Sequence, residues 1–243
     1  LMATFGVNTF SWVTSPAGTE LEERVMDWLG QMIGIPDSWD GVIQSTASEA
    51  SFAAIVTARE RATDYQINEK GFGGSSTFRV YGSAQLHSSI ENAVKIAGLG
   101  RENYVKVEVD EKFAMKEDAL RAAIEQDLAA GYEPLCVVNG MGTTSSTAID
   151  DLEMCGRVCQ EYGIWLHVDA AYAGAALILP EYQHWMKGIE MADSFVFNPH
   201  KWLLTNFDCC AYFVKDKHAL IRTFQMSPDY LKSQNDGVVK NYR

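Results

Sequence analysis

The sequence has little positive charge, little cysteine and no long apolar run. Of its 243 residues, 20 are lysine or arginine and 32 are aspartate or glutamate, which gives a formal net charge of −12. A surface of this charge repels phosphate backbones, which argues against a nucleic-acid partner. No apolar run approaches the roughly 18 residues of a membrane-spanning helix, and no basic segment followed by an apolar stretch marks a signal peptide. We therefore expect neither a nucleic-acid partner nor a membrane partner.

Cysteine is also scarce, with five residues at irregular spacing. An odd, irregular set is typical of reduced thiols, so we expect a cytoplasmic protein. Cys155 and Cys159 lie four residues apart on a predicted helix, but no further zinc ligands accompany them, so we expect no metal site.

What the sequence does have is enough apolar material for one large domain, since 47% of its residues are hydrophobic. Apolar strand-like runs alternate with amphipathic helical runs, which predicts an α/β domain with a mostly parallel sheet. The predicted strands are 42–44, 78–82, 104–109, 135–139, 164–168, 194–197 and 211–215. The predicted helices are 19–32, 49–63, 88–97, 116–130, 152–161 and 218–224. The pair Thr19 and Glu22 has capping-box spacing, and the glycine- and serine-rich segment 64–77 predicts a mobile insertion.

Two short runs carry the chemistry. One places Lys201 behind a rigid Pro-His turn, in Asn198-Pro199-His200-Lys201-Trp202. The other places Asp169 at the end of an apolar strand, in His167-Val168-Asp169-Ala170-Ala171-Tyr172-Ala173-Gly174. When it occurs alone, an Asp after an apolar strand is more often a loop carboxylate or a helix cap than a catalytic group. A Lys that occurs alone is nearly always a charge in contact with solvent. Together they favour pyridoxal 5'-phosphate (PLP) as cofactor, because its chemistry requires a Schiff-base lysine and an acid facing the pyridinium nitrogen.

Further runs extend this pattern over nearly the whole chain: Phe10-Ser11-Trp12, Ser15-Pro16-Ala17, Gly41-Val42-Ile43-Gln44, Ala47-Ser48-Glu49-Ala50, His87-Ser88-Ser89, Gly142-Thr143-Thr144 and Pro228-Asp229-Tyr230-Leu231-Lys232. With them the sequence resembles the group II PLP-dependent amino-acid decarboxylases, and within these the aromatic-L-amino-acid decarboxylases. The resemblance implies PLP fold type I with a seven-stranded, mostly parallel sheet. It also implies that residues 1–243 are the PLP-binding large, central domain of a longer enzyme, whose N-terminal arm and C-terminal small domain lie outside them.

The helix after the first strand offers unpaired N–H groups and a positive dipole end, which suit the phosphate group. The resemblance assigns the phosphate to Ala47 and Ser48, with help from Asn198 and His200. The alternative is that Ser48 is a plain N-cap.

The other site residues follow from the resemblance as well. Asp169 pairs with the ring nitrogen, Ala171 packs on one ring face and His87 stacks on the other. Thr144 lies near the ring hydroxyl. The alternative for Thr144 is a hydroxyl that bonds within a turn, and the alternative for His87 is an ordinary polar residue at a helix start.

Lys201 forms the Schiff base, and we expect its burial to favour the reactive, deprotonated amine. His167 supports the site from outside it, while His184 and His218 lie at the surface.

Tyr230 lies in the polar stretch 226–243, which reads as a mobile loop. The resemblance implies that this loop closes over the site and that Tyr230 protonates the substrate's Cα after carbon dioxide leaves. It also implies a homodimer in which Phe10 reaches into the neighbouring subunit.

The function predicted from the sequence is decarboxylation of an aromatic L-amino acid to its amine. A sibling decarboxylase acting on histidine or glutamate is one alternative, with glutamate disfavoured because Tyr172-Ala173-Gly174 and Trp202-Leu203-Leu204 resemble the aromatic branch. The other alternative is a catalytically inactive PLP-binding or scaffolding relative.

Overall fold

A computed structural model describes residues 12, 14–74 and 77–225. Its strands are β1 Asp40–Gln44, β2 Phe78–Ser83, β3 Tyr104–Val107, β4 Glu133–Gly140, β5 Trp165–Asp169, β6 Ser194–Phe197 and β7 Cys210–Val214. Its α-helices are α1 Pro16–Ile33, α2 Ala47–Ala62, α3 Gln66–Lys70, α4 Ser88–Ile96, α5 Glu117–Ala129, α6 Leu152–Tyr162, α7 Pro199–Trp202 and α8 Lys217–Phe224. Short 3-10 helices span Arg101–Asn103, Gly174–Ile178, Pro180–Met186 and Ile189–Met191.

The strands form one seven-stranded sheet in the order β1-β7-β6-β5-β4-β2-β3. Pairing is parallel from β6 through β5, β4 and β2 to β3, whereas β7 is antiparallel to both β6 and β1. Six strands therefore run in one direction and β7 alone opposes them. All seven predicted strands are confirmed, because parallel strands covered on both faces are near-continuous apolar runs that stand out in sequence.

Helices cover both faces of the sheet, so the core has two halves. On one face, Met26 of α1 and Leu120 of α5 belong to a buried cluster with Leu166 and Val168 of the sheet. On the other face, the buried side of α2 and α4 packs against alternate residues of the same strands, including Trp165. The alternation of side chains along β5 sends residues 165, 167 and 169 toward the α2 face.

Helix α1 begins earlier than the capping-box spacing predicts. Its first residue is Pro16 and Ser15 is the N-cap, because proline has a preset helical φ and no N–H group to leave unpaired. Thr19 donates its hydroxyl to the Ser15 carbonyl, and Glu22 accepts the N–H of Ile43 on β1 at 2.9 Å. The Thr19–Glu22 capping box is therefore wrong, since Glu22 bonds the sheet instead.

The segment 64–77 contains an element that the sequence analysis missed. Residues 66–70 form helix α3, whose Ile67 is buried. The Asn68 side chain donates to the Thr223 carbonyl at 2.8 Å, and its backbone N–H donates to the buried Glu60 carboxylate at 3.0 Å. The prediction of a mobile insertion is wrong for this helix, because these distant partners hold it to the domain.

Among the described residues, no helix is long and apolar enough to cross a membrane. Cys155 and Cys159 are both buried in α6, and both are unpaired thiols.

The loop between β4 and α6 is closed by a buried carboxylate. Asp150 accepts the N–H groups of Gly140 at 2.8 Å and of Met115 at 2.7 Å. Its own N–H donates to the Gly140 carbonyl at 2.9 Å. Burial raises the pKa of Asp150 to about 6, against the opposing effect of the two N–H donors. Asp150 thus joins the end of β4 to residue 115 and holds the base of the loop.

We expect Asp150→Asn to lower stability, because the new amide N–H2 group must face one of two backbone N–H donors. A buried polar group without its partner costs roughly 1–3 kcal/mol, so the thermal unfolding midpoint should fall by several degrees. The matched control is Asp151→Asn, since exposed Asp151 caps α6 by accepting the Met154 N–H and asparagine caps equally well. Equal midpoints for the two variants, measured by circular dichroism, would contradict this account of Asp150.

Candidate active site

The carboxyl ends of β1, β2, β4, β5 and β6 meet at one edge of the sheet, as parallel strands require. There they surround a cavity of about 230 Å³, which the loop before β7 completes. Its lining residues are Thr46, Ala47, Ser48, Leu86, His87, Ser89, Gly142, Thr143, Thr144, Asp169, Ala171, Tyr172, Asn198, His200, Lys201 and Phe207. Every predicted site residue within the described ranges lies in this set. Tyr230 and Phe10 lie outside the described residues.

The first turn of α2 forms one end of the cavity. The helix begins at Ala47, and Thr46 caps it by accepting the Glu49 N–H at 3.3 Å. Glu49 in turn accepts the Ser45 N–H at 3.2 Å. Ser48 as N-cap is therefore wrong: Ala47 and Ser48 occupy the first helical positions, where N–H groups have no partner within the helix. The Thr-x-x-Glu spacing of Thr46 and Glu49 could have located this cap.

Asp169 lies at the end of β5, with part of its surface open to the cavity. Its Oδ1 atom accepts the N–H of Ala171 at 3.1 Å. Burial of the carboxyl group raises its pKa, and this N–H together with the charges of Lys201 and His87 acts in the opposite direction. A carboxylate destabilised by burial is a strong acceptor for a cationic N–H donor placed in the cavity.

His87 begins α4 as its N-cap. Its Nδ1 atom accepts the Ser89 N–H at 3.2 Å and lies 2.9 Å from the Ser89 hydroxyl. His87 can therefore be both a helix-start residue and a ring that stacks on a ligand. Its capping bonds engage Nδ1 and hold an exposed ring at the cavity wall.

Asn198, His200 and Lys201 follow β6, where Pro199 starts the short helix α7. The His200 Nδ1 atom accepts the Cys209 N–H at 2.8 Å, which ties α7 to the segment before β7. Asn198 is only 5% exposed, and its Oδ1 atom is buried without a hydrogen-bond partner among the described residues. A buried amide oxygen of this kind is costly unless a ligand donates to it.

The Lys201 amine lies 5.7 Å from the centre of the Tyr172 ring. The prediction of a buried Lys201 is wrong for this structure, since the residue is exposed on the open side of the cavity. Tyr172 also packs edge-on against Trp202, with ring centres 5.1 Å apart.

Two neighbouring threonines in the loop after β4 make different contacts. The Thr143 hydroxyl lies 2.8 Å from the Ser146 hydroxyl and accepts the Ala148 N–H at 3.2 Å. The turn hydroxyl is therefore Thr143, and Thr144 is exposed at the cavity. Gly142 has a φ of 76°, and a Cβ there would collide with the Ala173 side chain. Only glycine lets this loop approach the chain that follows Asp169.

Seven lining residues were not predicted as site residues: Thr46, Leu86, Ser89, Gly142, Thr143, Tyr172 and Phe207. Tyr172 lies inside a motif already singled out, and Thr46 had a capping signal. Phe207 had no signal, because it reaches the cavity only through the packing of its ring on His200, with ring centres 4.6 Å apart.

Comparison with known proteins agrees with this geometry. The family described as "Pyridoxal-dependent decarboxylase conserved domain" matches residues 1–243. The aromatic-L-amino-acid decarboxylase of Bos taurus is 44% identical over 100% of this chain and 52% of its own length. The histidine decarboxylase of Drosophila melanogaster is 45% identical over 96% of this chain and 29% of its own length.

Among solved structures, Catharanthus roseus tryptophan decarboxylase in complex with L-tryptophan superposes with a TM-score of 0.87 at 40% identity, over 98% of this chain and 50% of that one. The chain spans about half the length of the curated aromatic decarboxylases that it matches. The seven-stranded sheet and these neighbours confirm the predicted fold type I. The chain therefore belongs to the group II pyridoxal-dependent decarboxylases, within the aromatic-L-amino-acid decarboxylase family.

Proposed function

We propose that the full-length protein is a PLP-dependent carboxy-lyase that converts an aromatic L-amino acid into its amine and carbon dioxide. The observation that carries the proposal is the cavity itself. It brings Lys201, Asp169 and the first turn of α2 together from three separate strand ends. The family to which the chain belongs has this chemistry in its name.

The residues around the cavity fit both ends of PLP, its phosphate group and its ring nitrogen. The N–H groups at the start of α2, a 16-residue helix, suit the phosphate group. At the other end, the buried carboxyl group of Asp169 suits a protonated ring nitrogen.

When bound, PLP supplies a sink for the electron pair released as a bond at the substrate's Cα breaks. The protein's own groups hold it in place. Lys201 would anchor it covalently, Asp169 would keep its ring nitrogen protonated, and Ala171 and His87 would contact its ring. Thr144 would contact the ring hydroxyl, while Ala47, Ser48 and His200 would bind the phosphate.

The substrate class is supported by relatives named for aromatic amino acids. Tyr172 and Phe207 support it from the structure, since their aromatic rings line the cavity. A histidine substrate stays the alternative, because one relative of similar identity is named histidine decarboxylase. The retained Lys201 and Asp169 argue against an inactive relative.

We further propose a homodimer with the site near the subunit boundary. Phe207, which lines the cavity, is 79% exposed, and Leu204 of the same loop is 95% exposed; apolar surface of this kind marks interaction sites. Sedimentation of the full-length protein should give a dimer, and a fully active monomer would contradict the proposal. A cytoplasmic location is supported by the five unpaired cysteines, and cell fractionation tests it.

The proposed reaction predicts that full-length protein loaded with PLP releases equimolar amine and carbon dioxide from one or more aromatic L-amino acids. The panel should contain tryptophan, tyrosine, phenylalanine and DOPA, with histidine and glutamate as the alternatives. Lys201→Arg should abolish turnover, because a guanidinium cannot take the place of the reactive amine. Lys187→Arg, at an exposed ion pair with Glu153, is the matched control. Turnover of histidine alone would replace the proposed substrate class.

The same assay tests the proposed acid, Tyr230. If its hydroxyl returns a proton to the substrate's Cα, Tyr230→Phe should form less amine and more aldehyde, ammonia and peroxide under air. A variant that makes amine at the parent rate, with no aldehyde, would remove Tyr230 from the mechanism.

Asp169→Asn should lower kcat/KM by about 100-fold or more, equivalent to about 3 kcal/mol of lost transition-state stabilisation. The amide cannot keep the ring nitrogen protonated, although some PLP should still bind. Asp216→Asn is the control, because Asp216 caps α8 away from the cavity and asparagine keeps the cap. Near-normal turnover of Asp169→Asn would show that the carboxylate is dispensable.

A further inference from the structure

His167 is the one histidine of the described chain that is completely buried, and it lies two residues before Asp169 on β5. Because side chains alternate along a strand, His167 and Asp169 project from the same face of the sheet, toward α2. His167 does not line the cavity. Its role must therefore be sought in the contacts that it makes behind the site.

Both ring nitrogens of His167 are engaged. Nε2 lies 3.1 Å from the hydroxyl of Ser51 on α2, and Nδ1 lies 2.9 Å from the hydroxyl of Ser194 on β6. Ser194 also accepts the indole N–H of Trp165 at 2.9 Å. The chain of bonds runs through buried residues and joins one helix to two strands.

Burial lowers the pKa of His167 to about 3, so the imidazole is neutral near pH 7. A neutral imidazole has one donor nitrogen and one acceptor nitrogen. In one tautomer, Trp165 donates to Ser194, the Ser194 hydroxyl donates to Nδ1, and Nε2–H donates to Ser51. In the other tautomer, Nδ1–H donates to Ser194 and Ser51 donates to Nε2, so the two partners of the ring stay the same.

The three elements joined in this way carry three parts of the site. Ser51 lies one turn after Ala47 and Ser48 on α2. β5 ends in Asp169, and β6 leads into Asn198 and Lys201. His167 therefore connects the phosphate end of the cavity to the ring-nitrogen end.

The first half of α2, which carries the phosphate end of the cavity, packs on the sheet through small side chains. Its buried residues there are Ala47, Ala50, Ser51, Ala53 and Ala54, whereas the larger Ile55 and Val56 lie further along the helix. Small side chains interdigitate little with the sheet, so they resist sliding less than large side chains do. The buried hydrogen bond from Ser51 to His167 adds a constraint with fixed geometry at this end of the helix.

We propose that His167 is a positioning residue for the cofactor: through Ser51 it holds the first turn of α2 at a fixed distance from Asp169. This inference rests on the proposed function, because it takes PLP as the ligand of the cavity. It concerns the affinity for PLP, not the bond-breaking step.

Two substitutions of His167 separate its two bonds. The amide of glutamine reaches the place of Nε2 and keeps the bond to Ser51, whereas the amide of asparagine reaches the place of Nδ1 and keeps the bond to Ser194. Ser51→Ala removes the bond to α2 with the smallest change, which keeps the test valid if a His167 variant does not fold. Thr57→Val is the matched control, because its buried hydroxyl donates to Ala53 within the same helix and not to the sheet.

The experiment titrates full-length apoenzyme with PLP, follows binding by absorbance, and records the thermal midpoint of each apoprotein. We expect Ser51→Ala and His167→Asn to weaken PLP binding about tenfold, equivalent to about 1.4 kcal/mol. His167→Gln should stay within about threefold of the parent protein. Thr57→Val should lower the thermal midpoint and leave the affinity for PLP unchanged.

Unchanged PLP affinity in Ser51→Ala, with a thermal midpoint lowered as in Thr57→Val, would overturn the inference and leave His167 as a core residue. Equal losses in His167→Gln and His167→Asn would overturn it as well, because the bond to Ser51 would then not be the cause. A parent protein that binds no PLP would instead overturn the proposed function, so the two failures are distinguishable.

Discussion

The site depends on the parallel direction of the strands. Carboxyl ends of parallel strands lie at the same edge of a sheet, so the turns after β1, β2, β4, β5 and β6 surround one cavity although they are far apart in sequence. Reversal of any one of these strands would carry its polar residues to the opposite edge. Strand β7 runs in the opposite direction, so its beginning lies at this edge. Cys209, the residue just before β7, donates its backbone N–H to His200 there.

Around this edge the protein keeps polar groups that its own fold leaves poorly satisfied. The carboxyl group of Asp169 is buried without full compensation, and the Asn198 Oδ1 atom lacks a partner among the described residues. By contrast, the groups just behind them are fully engaged, as in His167 with Ser51 and Ser194. In such a site, polar groups without hydrogen-bond partners are held by neighbouring residues whose own hydrogen bonds are complete. Those neighbours are rigid, and their rigidity keeps the unpaired groups at the positions that a ligand requires.

Much of the fold followed from the sequence, and the exceptions have physical causes. The buried parallel strands were found because each is a short apolar run between turn signals. The start of α1 was misplaced because Glu22, which matched a local capping pattern, bonds Ile43 on β1 instead. Helix α3 was missed because its stability comes from partners such as Glu60 and Thr223, not from local propensity.

The sequence by itself predicted the cofactor and the residues proposed to hold it: the order of Asp169 and Lys201 indicated PLP chemistry, because that chemistry requires a lysine and an acid, and the resemblance to a known family added His87. Tertiary structure alone decided how those groups are held. The position of the Tyr172 ring near the Lys201 amine and the hydrogen bond between His167 and Ser51 depend on contacts between residues distant in the chain. Such contacts leave no local sequence pattern, because their energies arise only once packing has brought the partners together.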